Sequence, residues 1–439
     1  MRAWVRAQLH DALFFNTYIL IVMRVFGAGT GFIFWALAAR VLSAEHVGLA
    51  SGVVSAASLF AGLAQLGFGY GLVRHFSSSK DQNGLLNFAI VISGGVGTLL
   101  ALCFLIAIPA LSPAMLPVRS SITSGFVFVL LVLSTTTTQL LHWFFLASRR
   151  LSLSLWKMSI QSVFAIILLP ILWRFMSGYM AIVTAYLLST VIGLAISFWP
   201  FLRMAHPGYR FSMSHGISLR SSFAGYSIIN YITDQFQRTP DTLLPLIVIE
   251  QFGPGAGAYF FTVWTLGRSI AAWAGSIAES LFAEGSNNPE AAATQTWRAV
   301  KLGVLLATGL TLATTLCGHL ILSIYGQQYL EQGTVLLNYV ALAGIPGVLL
   351  SIFVNFLRVK NHLKAVTVIM AISVGSGLIL STAMMQINFA GIGIGWLISQ
   401  TIVLLGAAIW WRWLRNSWGS TVRFKPDDGA QELEVVIGR

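Results

Sequence analysis

The sequence predicts an all-α integral membrane protein with about twelve transmembrane helices. Composition is the first reason, because 56% of the 439 residues are hydrophobic and only 9% are charged. The mean hydropathy of +0.79 points the same way, since a water-soluble protein could not bury that much apolar surface. The two cysteines, Cys103 and Cys317, lie in apolar runs and favour neither a disulfide framework nor a metal site.

The length of the apolar runs is the second reason. A helix needs about 20 apolar residues to cross a bilayer, and about twelve runs in this chain satisfy that requirement. Their predicted limits are 16–39, 47–72, 85–108, 122–147, 155–173, 179–202, 223–249, 255–283, 300–323, 334–356, 363–385 and 391–413.

Basic residues in the loops predict how the spans are oriented. Of the 26 Lys and Arg residues, about twenty fall on the side that holds both termini. Only Arg40, Arg119 and Arg174 fall on the other side. Cytoplasmic loops carry such an excess, so both termini are predicted to be cytoplasmic. The net charge of +12 is therefore an orientation signal and does not indicate nucleic-acid binding.

A weak internal repeat divides the chain into halves. Gly48 and Gly257 follow similar segments at an offset of 209 residues, and Arg149 and Arg358 repeat the same offset. A third match has an offset of 210. Each half would hold six helices, so the halves would share one orientation, an arrangement common in transporters with a substrate site between the halves.

The repeat and the spans together predict four regions. A six-helix lobe at residues 1–205 precedes a cytoplasmic linker at 206–222. A second six-helix lobe follows at 223–414, and the polar residues 415–439 are predicted to form a flexible cytoplasmic tail.

Charged residues inside the predicted spans are the main candidates for function. Asp234, Arg238 and Asp241 have i, i+4 and i+7 spacing, which places them on one face of a helix. An unpaired charge at the membrane centre costs about 3 kcal/mol on insertion scales, so these groups must face each other or water. Leaving aside residues at the ends of the spans, the charged residues within spans are Arg24, Asp234, Arg238, Asp241, Arg268 and Glu279.

One interpretation is that these charges form structural pairs. Arg238 would pair with Asp234 or Asp241, and Arg268 would pair with Glu279. This interpretation leaves the arginine of the first span without an acid in its own span.

The other interpretation is a water-filled cationic cavity between the halves, with Arg24, Arg238 and Arg268 as substrate-binding residues. Pro240 and Pro245 would break the seventh helix, and the backbone carbonyls that they free would face water. Arginine suits phosphate because its planar fork can bind two oxygens. The three acids would then balance charge or couple transport to H+ or Na+.

Polar residues also form a stripe on the fourth span, at Thr135, Thr138, Gln139 and His142. Polar contacts between helices are the simpler explanation. Gln139 and His142 are alternatively candidates to line the cavity.

Several motifs resemble those of the Wzx-type polysaccharide flippases, and the resemblance covers nearly the whole chain. The segment ARVLSAEHVGLA and the glycine-rich stretch after it resemble the family's first two helices, with matches at Arg40, Gly48, Gly67, Gly69, Gly71 and Arg74. The seventh and eighth helices match at Asp241, Gly257 and Tyr259.

The resemblance implies a V-shaped, two-lobed transporter of the multidrug/oligosaccharidyl-lipid/polysaccharide exporter (MOP) superfamily. It would move undecaprenyl-pyrophosphate-linked oligosaccharide across the cytoplasmic (inner) membrane for surface polysaccharide synthesis. It would need no cofactor, would act beside a polysaccharide polymerase and other assembly proteins, and would contact membrane lipids. Arg24 lies where a cavity residue of the first helix is expected.

Two alternatives stay open. A cation-coupled drug or small-molecule exporter of the same superfamily would have an acidic cavity. A membrane polymerase or glycosyltransferase would need a loop with clustered carboxylates or a metal site, but Glu45, Glu250 and Glu331 lie on different loops. We therefore expect a protein with no catalytic residues and no metal site.

Overall fold

The computed structural model describes residues 12–79, 81–211, 221–286, 292–359 and 362–418. Within these ranges the regular structure is helical and contains no strand. Ten of the described helices are long and apolar enough to cross a membrane. The predicted all-α membrane architecture is confirmed.

The helices form two groups, which we call the first and second lobes. The first lobe contains α1 (Ala12–Val41), α2 (Ala44–Ala64), α3 (Phe68–His75), α4 (Gln82–Leu111), α5 (Leu116–Arg119), α6 (Ile122–Ala147), α7 (Leu151–Trp173), α8 (Tyr179–Ile196) and α9 (Leu202–Ala205). A 3-10 turn at Pro113–Met115 precedes α5, and a π-turn at Ser197–Phe201 precedes α9. The second lobe contains α10 (Ser221–Ser286), α11 (Ala292–Tyr325), α12 (Gln327–Val359), α13 (Leu363–Met385) and α14 (Gly391–Trp418).

Helix α10 covers the predicted seventh and eighth spans and bends once. Gly253 has a φ of 85° and a ψ of 168°, which divides the helix into α10a (221–252) and α10b (254–286). The prediction that Pro240 and Pro245 break the helix is wrong, because helical geometry continues through both. The break falls at Gly253 because a glycine adopts positive φ without strain, and the following Pro254 suits the first turn of a new helix.

The predicted second span, 47–72, is also corrected. Helix α2 ends at Ala64, and Leu66 and Gly67 adopt φ values of 48° and 83° before α3 begins. These left-handed residues cannot continue a right-handed helix, so one expected span becomes two helices.

The boundaries at 205, 222 and 414 stay predictions. Residues 212–220 of the predicted linker and residues 419–439 of the predicted tail lie outside the described residues. Helix α14 continues through Trp418, beyond the predicted end of the second lobe.

Each lobe has its own apolar core, and large apolar side chains also cover the outside. Phe128 and Leu131 are fully buried in the first lobe, as are Phe260 and Val263 in the second. Side chains such as Ile106, which is 74% exposed, face outward. An apolar exterior of this kind fits surroundings of lipid.

Helices α2 and α10a join the lobes along their whole length. A β-carbon on Gly48 would overlap the carbonyl oxygen of Pro254, at the start of α10b, and one on Gly62 would lie 2.8 Å from Gln235 Oε1. Near the other end of α2, the Tyr231 hydroxyl donates to the Leu63 carbonyl at 2.8 Å. The absence of side chains on these glycines therefore sets how closely the lobes approach.

Polar contacts close the lobes at the end that carries Arg40, which we call the closed end. Arg40 Nε and Nη2 donate to the carbonyls of Ile324 and Ser323 at 2.6 and 2.9 Å, at the carboxyl end of α11. The Ser112 hydroxyl and the Ala114 N–H donate to Glu250 Oε2 at 3.2 Å each. Guanidinium groups are favourable at helix carboxyl ends, so these contacts stabilise closure.

We predict that Gly48→Ala destabilises the contact between the lobes. The new methyl group would clash with the Pro254 backbone, and overpacking of this kind costs about 1–3 kcal/mol. Gly95→Ala is the matched control, because no atom lies within 4 Å of a β-carbon at Gly95. Thermal unfolding in detergent should show a lower melting temperature for Gly48→Ala alone, and equal values for both variants would contradict the prediction.

Candidate functional site: a cationic cavity between the lobes

A cavity of about 210 Å³ lies where α1, the end of α2, α6 and α7 face α10a. Among the described residues that line it, six carry an amide, hydroxyl or imidazole group, two are cationic, and none is acidic. The lining residues are Met23, Gln65, Thr138, Gln139, His142, Trp143, Ser154, Lys157, Met158, Gln161 and Arg238, with Ser154 and Gln161 contributed by α7.

Lys157 is the cation that the first lobe contributes. It lies two turns into α7, only 4% of its surface is exposed, and Nζ donates to the Thr138 carbonyl at 3.0 Å. No ion pair of Lys157 is found within the part of the chain that the structure describes. The sequence agrees, because no Asp or Glu stands between Asp81 and Asp234.

Sequence reasoning missed Lys157. Lys157 lies at the start of the predicted fifth span, 155–173, close to Arg149 and Arg150, and a lysine there resembles part of the basic loop that precedes the span. In the structure α7 begins at Leu151, and Lys157 lies inside the first lobe. The long stretch without acids was a signal that this lysine would lack a carboxylate partner.

Arg238 is the cation that the second lobe contributes. Its side chain is 53% exposed and its Nε donates to Asp234 Oδ2 at 2.8 Å, one helical turn away. The expected pairing of Arg238 with Asp234 is confirmed. A bond through Nε leaves the two terminal nitrogens of the guanidinium group turned toward other partners.

Neutral polar groups join the helices around the two cations. Gln65 donates to Gln139, and His142 Nδ1 lies 2.7 Å from the Ser154 hydroxyl. The polar stripe predicted on the fourth span therefore makes contacts between helices, and Gln139 and His142 also line the cavity. The buried hydroxyl of Thr138 has no hydrogen-bond partner among the described residues.

A second charged cluster, centred on Asp241, belongs to the second lobe, and its Arg268 and Asp241 side chains are partly exposed. Arg268 donates to the two carboxylate oxygens of Asp241 at 2.8 and 3.4 Å, and Trp264 Nε1 donates to the same carboxylate at 2.9 Å. The Arg268 guanidinium also stacks on Trp264 and Trp396, 5.7 and 5.5 Å from the ring centres. The cluster fixes α10b and α14 against α10a.

Among the described residues, Asp241 is the partner of Arg268, and the pairing of Arg268 with Glu279 stays a prediction. The side chain of Glu279 lies outside the described residues. Asp241 and Arg268 meet because the bend at Gly253 folds α10b back beside α10a, a contact that spacing along one helix could not reveal.

The three predicted substrate-binding arginines do not meet in one place. Arg238 lines the cavity, whereas Arg24 is exposed on α1 beside the lining residue Met23, and Arg268 belongs to the Asp241 cluster. The group of cations that the structure brings together is instead Lys157 with Arg238. Among the described residues, no three His, Cys, Asp or Glu side chains could hold a metal ion.

We predict that Asp241→Ala lowers stability more than Asp234→Ala. Loss of Asp241 leaves the Trp264 and Arg268 donors without their acceptor, at about 1–3 kcal/mol. Asp234 makes only an i,i+4 pair with a half-exposed arginine, worth about 0.3–0.5 kcal/mol. Thermal unfolding of the two variants should separate them in that order, and a reversed order would refute a structural role for the Asp241 cluster.

Comparisons with known proteins agree with this fold. The family model described as "Polysaccharide biosynthesis protein" matches residues 13–249, more than half of the chain. The MatE family model matches residues 257–383. A search of curated protein sequences gives no match.

Solved structures of MOP superfamily transporters share the fold. An inward-facing multidrug resistance MATE family transporter has a TM-score of 0.68 and 14% identity, with 92% of this chain and all of that chain covered. An outward-facing one has a TM-score of 0.62 and 14% identity, covering 93% and 97%. A transporter from Pyrococcus furiosus, described as having a binding pocket of reverse polarity, has a TM-score of 0.61 and 13% identity, covering 92% and 96%.

These matches are to membrane transporters and not to enzymes. The fold of the whole chain is that of the MOP superfamily, and the two family models meet near the bend in α10. The chain therefore belongs to the polysaccharide biosynthesis protein family, as a multi-pass membrane protein of the MOP superfamily.

Proposed function

We propose that this protein is a flippase for undecaprenyl-pyrophosphate-linked oligosaccharides, acting in the synthesis of a surface polysaccharide. The observation that carries the proposal is the cavity between the lobes, where Lys157 and Arg238 are the charged residues in the described part of the lining. A lipid-linked pyrophosphate is the anionic part of such a substrate, and a cationic site inside the membrane would offset the cost of moving it through apolar surroundings.

The proposed mechanism is alternating access. The lobes contact each other at the closed end through Arg40 and Glu250, and the cavity lies on the side of the molecule away from that end. With both termini in the cytoplasm, the closed end would face outward and the cavity would receive substrate from the cytoplasmic side. Breaking the closed-end contacts would then let the lobes rock and release the substrate on the outer side.

A drug exporter of the same superfamily is the second candidate. The similar solved structures include multidrug resistance transporters, and Asp234 lies one turn from the cavity residue Arg238. Export of organic cations would need acids that face the substrate, whereas Asp234 is already paired and the cavity lining is cationic. The charge of the lining therefore favours the flippase.

We predict that a disulfide across the closed end stops transport. A β-carbon at position 255 would lie 3.9 Å from Glu45 Cγ, so cysteines at Glu45 and Gly255 should join the lobes when oxidised. The background should carry Cys103→Ser and Cys317→Ser, because both native cysteines are exposed. Glycan export should cease on oxidation and return on reduction.

Each single cysteine variant is the control for that experiment, since it meets the same oxidant without forming the bridge. Normal export by a fully crosslinked protein would contradict alternating access at this end of the molecule.

We also predict that Arg238→Ala reduces transport of the lipid-linked oligosaccharide. A charge-assisted hydrogen bond contributes about 1.5–3 kcal/mol, so its loss should weaken substrate binding by roughly ten- to a hundredfold. Arg238→Lys keeps the charge and loses the planar fork, so it should fall between wild type and alanine. Surface polysaccharide in cells that make only the variant, at matched protein levels, is the measurement.

Arg119→Ala is a suitable control for Arg238→Ala, because Arg119 lies in the short helix α5 and does not line the cavity. Normal export by Arg238→Ala, together with normal export of a cationic dye, would favour the drug exporter. Normal export of the glycan in cells that lack the protein entirely would refute the flippase.

A further inference from the structure

Lys157 has no structural reason to be a lysine. It occupies the interior of the first lobe, where a neutral side chain of similar length would fill the same space. A buried ammonium group without a carboxylate carries a large desolvation penalty. Its single hydrogen bond, to the Thr138 carbonyl, uses one of three N–H donors. Residues that reduce stability in this way are typical of binding sites.

The surroundings of Lys157 offer donors to an anion. Within the part of the chain that the structure describes, the buried Thr138 hydroxyl has no hydrogen-bond partner, and the carbonyl of the same residue accepts from the ammonium group. Lys157 and Thr138 both line the cavity. An oxyanion placed there could accept from Nζ and from the hydroxyl together, and such charge-assisted bonds are the stronger kind.

Arg238 faces the same cavity from the second lobe. Its pair with Asp234 occupies Nε and leaves the terminal nitrogens for an oxyanion. Two cations in one small cavity repel each other when the cavity holds only water. An anion that contacts both removes the repulsion and links the lobes.

We infer that Lys157 and Thr138 form a phosphate subsite in the first lobe, and that Arg238 holds a second phosphate from the other lobe, so that a diphosphate bridges them. This inference rests on the proposed function and specifies how its substrate is recognised. A diphosphate engages both cations, whereas a monophosphate engages one. The site is complete only while the two lobes lie close enough for Lys157 and Arg238 to contact one diphosphate. Movement of the lobes apart at the cavity would therefore break the site.

The test uses the purified full-length protein in detergent, with inorganic pyrophosphate and inorganic phosphate as probes and calorimetry as the readout. Wild type should bind pyrophosphate at least about tenfold more tightly than phosphate, because one further charge-assisted contact is made. Lys157→Gln should weaken pyrophosphate binding by about ten- to a hundredfold and remove most of that preference. Lys364→Gln, at an exposed lysine on α13, is the matched control and should bind as wild type does.

Thermal unfolding distinguishes a binding lysine from a structural one. Without anions, Lys157→Gln should melt at the wild-type temperature or above it, since an unpaired buried charge is removed. Pyrophosphate should raise the melting temperature of wild type and leave that of Lys157→Gln unchanged. If Lys157→Gln does not fold, the test uses Arg238→Gln instead. This variant should also lose the preference for pyrophosphate over phosphate, because one of the two cations is removed.

Unchanged pyrophosphate affinity in Lys157→Gln, or an unchanged preference in Arg238→Gln, would overturn the inference. These outcomes are separable from failure of the proposed function. If export requires the protein while Lys157→Gln binds and exports normally, only the phosphate subsite is refuted. If pyrophosphate binds through Lys157 while glycan export does not require the protein, the subsite stands and the flippase is refuted.

Discussion

The cost of placing a charge in apolar surroundings governs how this protein arranges its interior. Arg268 is satisfied by Asp241 and by two tryptophan rings, and this cluster serves the packing of the second lobe. Arg238 is satisfied in part by Asp234. Lys157 alone among these cations is buried with only a backbone carbonyl to accept from it. The three differ in how much of their charge is left without a partner, and that difference is why we propose a structural role for Arg268 and binding roles for Arg238 and Lys157.

The contact between α2 and α10a determines where the cavity forms. Glycines on α2 allow the helices to approach so closely that backbone atoms of Pro254 touch the position of a Gly48 side chain. The lobes are therefore held together along the length of α2. Helix α1 meets α10b nearer the closed end, where Trp35 and Phe261 pack with ring centres 4.8 Å apart. A cavity can therefore exist beside α1 while the lobes stay joined along α2.

Charge distribution is the physical reason for proposing a flippase in preference to a drug exporter. From Gln82 to Thr233 the chain contains eight Lys and Arg residues and no acid, so this stretch of the first lobe offers its cations no counter-charge of its own. The acids near the cavity all come from the second lobe and are paired with arginines. An anion in the cavity would be attracted by Lys157 and Arg238. An organic cation would instead have to displace Arg238 from the Asp234 carboxylate.

The sequence by itself determined the class of protein, because hydropathy over about 20 residues is a local property that needs no knowledge of contacts. It also determined that Asp234, Arg238 and Asp241 share a helix, since spacing within one helix fixes which side chains are neighbours. Only the tertiary structure decided that Asp241 belongs to Arg268, because the bend at Gly253 brings α10b back to it. It likewise decided that Lys157 faces Arg238 across the lobes, because residues 81 positions apart are brought together by packing that no local pattern records.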